Sequence, residues 1–75
     1  MSTPEKLGLK LILEYVLESE NISLRRKTLA FALEMASALN LDESKVEEAI
    51  KAELQADLKT SNLWMKRILL ELEPD

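Results

Sequence analysis

Residues 29–54, LAFALEMASALNLDESKVEEAIKAEL, decide the fold. Apolar residues recur at helical spacing on both sides of Asn40-Leu41-Asp42, so the stretch reads as two helices joined by a turn of a few residues. Asn is, after Gly, the residue that best tolerates positive φ just past a helix end. Asp42 then offers its carboxylate to cap the second helix. Leu41, just before that cap, and Val46, four positions into the helix, have the spacing of a hydrophobic staple. Ala36 is small enough to let the second helix approach closely.

Ala36, Asn40 and Val46 also meet the packing grammar of a DNA-binding helix-turn-helix: a small residue, a left-handed position four later, and an apolar residue six further on. The chemistry laid over that spacing points elsewhere. The exposed N-terminal positions of a recognition helix approach phosphates and base edges, which calls for Arg, Lys, Asn, Gln or Ser. Here they are Asp42, Glu43, Ser44, Lys45, Glu47, Glu48 and Lys51. Residues 42–57 hold six acidic and two basic side chains, so this segment accounts for the whole net charge of −4. Counterion release on DNA would run backwards on such a helix. The spacing is a packing motif that many helical bundles share.

Seventy-five residues make one domain, 1–75, close to the size at which a core holds without disulfides or metals. With no Cys and no His there is no disulfide, thiol nucleophile, imidazole base or ordinary zinc site. Hydrophobic residues make up 47% of the chain, yet only Tyr15, Phe31 and Trp64 are aromatic, so the core is expected to be aliphatic. One Gly, two Pro and 32% charged residues favour helices over sheet. No apolar run approaches the ~20 residues of a membrane span, and the N-terminus lacks a basic region followed by an apolar one. A cytoplasmic protein without a membrane partner is the resulting expectation.

The first helix is expected from Pro4, capped by Ser2 or Thr3, to about Ser19. Leu9, Ile12, Leu13, Val16 and Leu17 form its core stripe. Leu7 and Leu11 fall on the opposite side, Tyr15 borders them, and Gly8 marks a place where another backbone could approach. Asn21-Ile22-Ser23 repeats the order of Asn40-Leu41-Asp42, which predicts a second left-handed Asn and a capping Ser23.

The second helix, about Leu24 to Leu39, has an apolar arc of Leu24, Leu29, Phe31, Ala32, Leu33, Met35, Ala36 and Leu39, and is expected to be the most buried. Arg25, Arg26 and Lys27 in its first turn oppose the helix dipole, so they either face carboxylates, face a partner, or form a solvated cluster. The third helix runs from Glu43 to about Leu58 on the stripe Val46, Ile50, Leu54 and Leu58. Glu53 and Asp57 read as a like-charged pair on its solvated face. Thr60-Ser61-Asn62 is expected to break the chain before a fourth helix with a core stripe of Met65, Ile68, Leu69 and Leu72, ending before Pro74. Leu63 and Leu70 lie on its far side beside Lys66, with Trp64 at the edge as a lid on the core or an interface anchor. Met1 to Thr3 and Glu73 to Asp75 are expected to be disordered.

The fold expected is therefore an all-α, compact bundle of four short helices with a helix-turn-helix-like central pair. No catalytic residue, metal, cofactor or small-molecule ligand is expected, because hydroxyls sit at caps and the one glycine rules out phosphate loops. Three functional readings remain. The first is a non-enzymatic protein-interaction or regulatory module, a homodimer with a further protein partner, whose interface draws on Leu7, Gly8, Leu11, Tyr15, Leu63, Trp64 and Leu70. The second is a helix-turn-helix-class transcriptional regulator in which Arg25, Arg26, Lys27, Lys66 and Arg67 contact phosphates. The third is an acidic inhibitor of a basic, nucleic-acid-binding partner.

Overall fold

The structure, a computed structural model, describes residues 3–73. Four helices follow in order: α1 (Pro4–Leu17), α2 (Ile22–Met35), α3 (Glu43–Leu54) and α4 (Leu58–Leu72), and no strand occurs among the described residues. Each helix packs on its neighbours in the chain, and α4 closes the ring against α1. The connections are three to seven residues long, which forces successive helices to lie side by side. The expected four-helix bundle is what forms. Its radius of gyration, 11.1 Å, matches the about 11 Å of a single fully packed unit of this length.

The core is aliphatic. Leu9, Leu13 and Val16 of α1 meet Leu29 and Ala32 of α2, Val46 and Ala49 of α3, and Met65, Ile68 and Leu72 of α4. No aromatic ring is fully buried. Trp64 is half-buried and packs against this cluster as a lid, while the Arg67 guanidinium sits 4.6 Å from its ring centroid. Ile12 and Phe31, expected in the core stripes, are exposed instead. They lie on the flanks of α1 and α2 that turn toward each other, at a seam the core does not reach. The apolar arc of the second helix is wider than the bundle can cover, and one edge opens to solvent.

The joint between α2 and α3 follows the sequence closely. Asn40 has φ 59°, in the left-handed region. The Leu41 N–H donates to the Ala36 carbonyl at 2.8 Å and the Asn40 N–H to the Ser37 carbonyl at 3.2 Å, the paired bonds of a Schellman turn. Ala36, after the last regular turn of α2, keeps helical dihedrals. Asp42 caps α3, accepting from the Ser44 N–H at 2.9 Å and from the Ser44 hydroxyl at 2.6 Å. Leu41 and Val46 are both buried, completing the staple.

The other two joints differ from expectation. Asn21 is extended, with φ −74°, and its side chain accepts from the Leu24 N–H at 3.1 Å. It is the cap of α2, a role expected of Ser23, and not a left-handed residue. Between α3 and α4 the left-handed position falls on Ala56, φ 58°. The Asp57 N–H donates to the Ala52 carbonyl at 2.9 Å and the Ala56 N–H to that of Glu53 at 3.0 Å, a second Schellman turn. Asp57 then caps α4, accepting from the Thr60 N–H and hydroxyl at 3.1 and 2.7 Å. The break is therefore at 55–57, and Thr60, Ser61 and Asn62 lie inside α4.

An alanine at positive φ carries strain that glycine does not. Ala56→Gly is expected to raise stability by about 1 kcal/mol, read as a higher urea midpoint. A lower midpoint would mean that the turn is not left-handed at this residue.

Hydrogen bonds from the Ser44 hydroxyl and then its N–H hold the Asp42 carboxyl below its usual 3.8, and the Thr60 hydroxyl and N–H do the same for Asp57. A carboxylate with a depressed folded pKa stabilises the fold above its unfolded value and loses that contribution as pH falls through the folded one. Stability from these two caps is thus complete at neutral pH and disappears below 3.8. Asn also caps well but does not titrate. The double variant Asp42→Asn with Asp57→Asn should therefore lose less stability than the native chain when urea midpoints are compared at about pH 6 and about pH 3.

Thr3 and Glu73, expected to be disordered, are placed: Thr3 caps α1 by accepting from the Lys6 N–H at 3.1 Å, and Glu73 pairs with Lys10 at 3.4 Å. Glu73 is extended, as the residue before a proline should be. Met1, Ser2, Pro74 and Asp75 lie outside the described residues, and so does what was expected of them.

Candidate functional site

Of the three cations in the first turn of α2, Arg25 is 1% exposed, while Arg26 and Lys27 are exposed. Arg25 therefore faces a carboxylate, one of the alternatives left open for it. Its Nε donates to Glu53 Oε1 at 2.6 Å, and Glu53 is itself only 1% exposed. A guanidinium has five N–H donors, and here each has an acceptor. Nη1 donates to the carbonyls of Val16 at 2.7 Å and Ser19 at 3.1 Å. Nη2 donates to Asn62 Oδ1 at 2.6 Å and, at a long 3.5 Å, to Ser61 Oγ. The Ser61 hydroxyl in turn donates to Glu53 Oε1 at 2.7 Å, and Asn62 Nδ2 donates to the Leu17 carbonyl at 3.2 Å.

One side chain of α2 thus touches α1, α3 and α4, including the helix diagonally across the ring. It also explains why Asn21 need not be left-handed. The last carbonyls of α1 need partners; the Glu18 and Ser19 N–H groups serve Tyr15 and Val16, and Arg25 and Asn62 add donors to Val16 and Leu17 from other helices. Glu53, expected on the solvated face of α3 in a like-charged pair with Asp57, is in the core and belongs to a different helix from Asp57. Leu54, expected in the core stripe, points outward and is exposed. The signal was present, since Val46, Ala49 and Glu53 fall at i, i+3 and i+7. Glu53 Oε2 is buried without a hydrogen-bond partner.

The Arg25–Glu53 pair is structural in its geometry: both side chains are 1% exposed, and it is the outer members of the network, Ser19 and Asn62, that border surface depressions. The surface offers more. Leu7, Leu11 and Tyr15, the last 69% exposed, remain uncovered by any other helix of the chain. With Ile12 they form an apolar face on α1, continued on α2 by Phe31 and the half-buried Leu24. Between the two helices this face deepens into a groove of about 460 Å³ lined by Leu11, Ile12, Tyr15, Leu24, Lys27, Thr28 and Phe31. Gly8 lies one turn before Leu11 and Ile12, and a Cβ added there would meet no atom within 4 Å. The close approach it suggests is therefore not made inside the chain.

Leu63 and Leu70, the latter 73% exposed, lie together on the outer face of α4 with Lys66, apart from the α1–α2 groove. The candidate interface residues thus divide between two surfaces, and Trp64 is largely used as a lid at home. The candidate charged residues do not form one patch either: Arg25 is interior, Arg26 and Lys27 are on α2, and Lys66 and Arg67 are on α4. The exposed N-terminal side of α3 carries Asp42, Glu43, Glu47 and Glu48. No helix among the described residues is long and apolar enough to cross a membrane.

No known family model matches the chain, and neither a curated protein nor a solved structure is significantly similar to it.

Proposed function

We propose that this protein is a non-catalytic protein-interaction module that works as a homodimer, with a regulatory or adaptor role toward a further protein. The observation that carries this reading is the uncovered apolar surface of α1 and α2. A soluble monomer rarely exposes a continuous apolar patch beyond a few hundred Å², and larger patches mark interaction sites. A groove with apolar walls and a single charged side chain suits the apolar face of another helix. A two-fold dimer is the commonest closed assembly and needs no other gene product, which favours a second copy as the first partner.

The helix-turn-helix reading loses support from the same structure. Arg25 has every donor engaged in the interior, and the helix that would enter the major groove presents carboxylates at its N-terminal end. Sedimentation equilibrium at micromolar concentration tests the proposal, and a dimer mass is expected. A monomer mass there refutes the homodimer, while salt-sensitive binding to random duplex DNA would turn the assignment toward nucleic acid.

A further inference from the structure

We infer that the two-fold axis of this dimer runs parallel to α1 and α2, so that α1 of each copy lies over α2 of the other and the groove is covered by the same face of the partner. This rests on the homodimer reading above, and it specifies which face is used and in what orientation.

The choice of face follows from charge and shape. On α4 the exposed leucines are interleaved with cations: Leu63 shares a shallow depression with Lys59 and Lys66, and Arg67 is next to Lys66. A two-fold axis there would set Lys59 and Lys66 against their own copies. Like charges across an interface are unfavourable. On the α1–α2 face Lys27 is the one charged side chain lining the groove. Leu7, Leu11, Ile12, Tyr15 and Phe31 are each about half exposed or more. Large side chains of this kind present together on the order of 500 Å² of apolar surface. A stable interface needs about 800 Å² per partner, so this patch with a polar rim is of the size a second copy requires.

The orientation follows from the rim. α1 and α2 are antiparallel neighbours, and a face-to-face dimer has two in-plane choices of axis. An axis across the helices through the groove lays α1 on the partner's α1 and α2 on the partner's α2, and sets Lys27, which lies between Leu24 and Phe31 in the groove lining, against its own copy. An axis along the helices lays α1 on the partner's α2 and keeps each residue at its own height. Lys27 lines the groove at the height of Leu11, Ile12 and Tyr15. It would therefore meet the stretch of the partner's α1 that holds Glu14 and Glu18. Among the described residues, none of Lys27, Glu14 and Glu18 has an ion pair within the chain. Gly8 extends the same face by one turn and leaves room for the opposing backbone.

All the residues tested are exposed or open, so the variants should fold, and far-UV circular dichroism checks that they do. In sedimentation equilibrium, Leu11→Glu should give a monomer while Leu63→Glu with Leu70→Glu stays dimeric. Lys27→Glu should raise the dimer Kd by about tenfold, and so should Glu14→Lys with Glu18→Lys. Combining all three reversals should restore the native value to within about threefold. Gly8→Gln should weaken the dimer without lowering helicity. A dimer that survives Leu11→Glu, or a triple reversal no tighter than its parents, overturns this geometry while leaving the homodimer standing. A monomeric native chain overturns both.

Discussion

Arg25→Ala is expected to lower the unfolding free energy by about 3–5 kcal/mol, and Glu53→Ala by a similar amount. The physical reason is asymmetry. A buried pair contributes little relative to well-packed apolar residues, but removing one member leaves the other as an uncompensated charge away from water. In Arg25→Ala the Glu53 carboxylate retains only Ser61, at 2.7 Å, the Ser19 carbonyl loses its Arg25 donor, and the Val16 carbonyl loses the same donor and keeps the Ser19 N–H. Domains of this size have about 4–11 kcal/mol in total, so each variant approaches the limit of folding at room temperature. The double variant Arg25→Met with Glu53→Met should be markedly more stable than either alanine variant, because no charge is left buried. Urea denaturation of the four proteins decides the matter. Single variants within about 1 kcal/mol of native would mean that the pair is hydrated in solution.

Ala36→Leu is expected to cost about 1–3 kcal/mol. Ala36 has no exposed surface and sits where α2 hands over to the turn, with Leu39, Leu41 and Val46 also in the core cluster. Additional methylene groups there would push α3 away from α2 and strain the Schellman turn whose acceptor is the Ala36 carbonyl. Ala30→Leu is the control: Ala30 is exposed on the same helix, and a surface substitution should change stability by no more than about 0.5 kcal/mol. Equal urea midpoints for the two variants would show that the α2–α3 crossing does not depend on a small residue.

What the sequence made legible was whatever local chemistry alone determines. Pro4 after Thr3, Asn40 before Leu41 and Asp42, and the stripe Met65, Ile68 and Leu72 each carry their signal within one or two helical turns. The errors arose where a distant residue decides. Asn21 looked like a left-handed closer because Asn21-Ile22-Ser23 repeats the order of Asn40-Leu41-Asp42; α1 is instead closed by the Glu18 and Ser19 N–H groups together with Arg25 and Asn62, whose bond to Leu17 spans 45 positions. Ala56 gave no sign of positive φ, since alanine has no side-chain chemistry that favours it. Glu53 was read as solvated because carboxylates usually are, and only its match with Arg25, 28 residues earlier, makes the interior tolerable. At the candidate site, the uncovered Leu7, Leu11 and Tyr15 were visible as surplus apolar residues. The groove was not, because Ile12 and Phe31 looked like core until the helices were placed.

The Arg25 network also bears on how the chain folds in time. Its bonds join positions 9, 28 and 37 residues apart and draw on every helix, so no pair of helices can complete it. Arg25 held in an incomplete bundle is a charge without its acceptors, which penalises every partial assembly. Unfolding should accordingly be all-or-none, with coincident fluorescence and circular dichroism transitions. The network should close late, on the native side of the barrier. Weakening it, for example through Asn62, should then accelerate unfolding and leave the folding rate nearly unchanged.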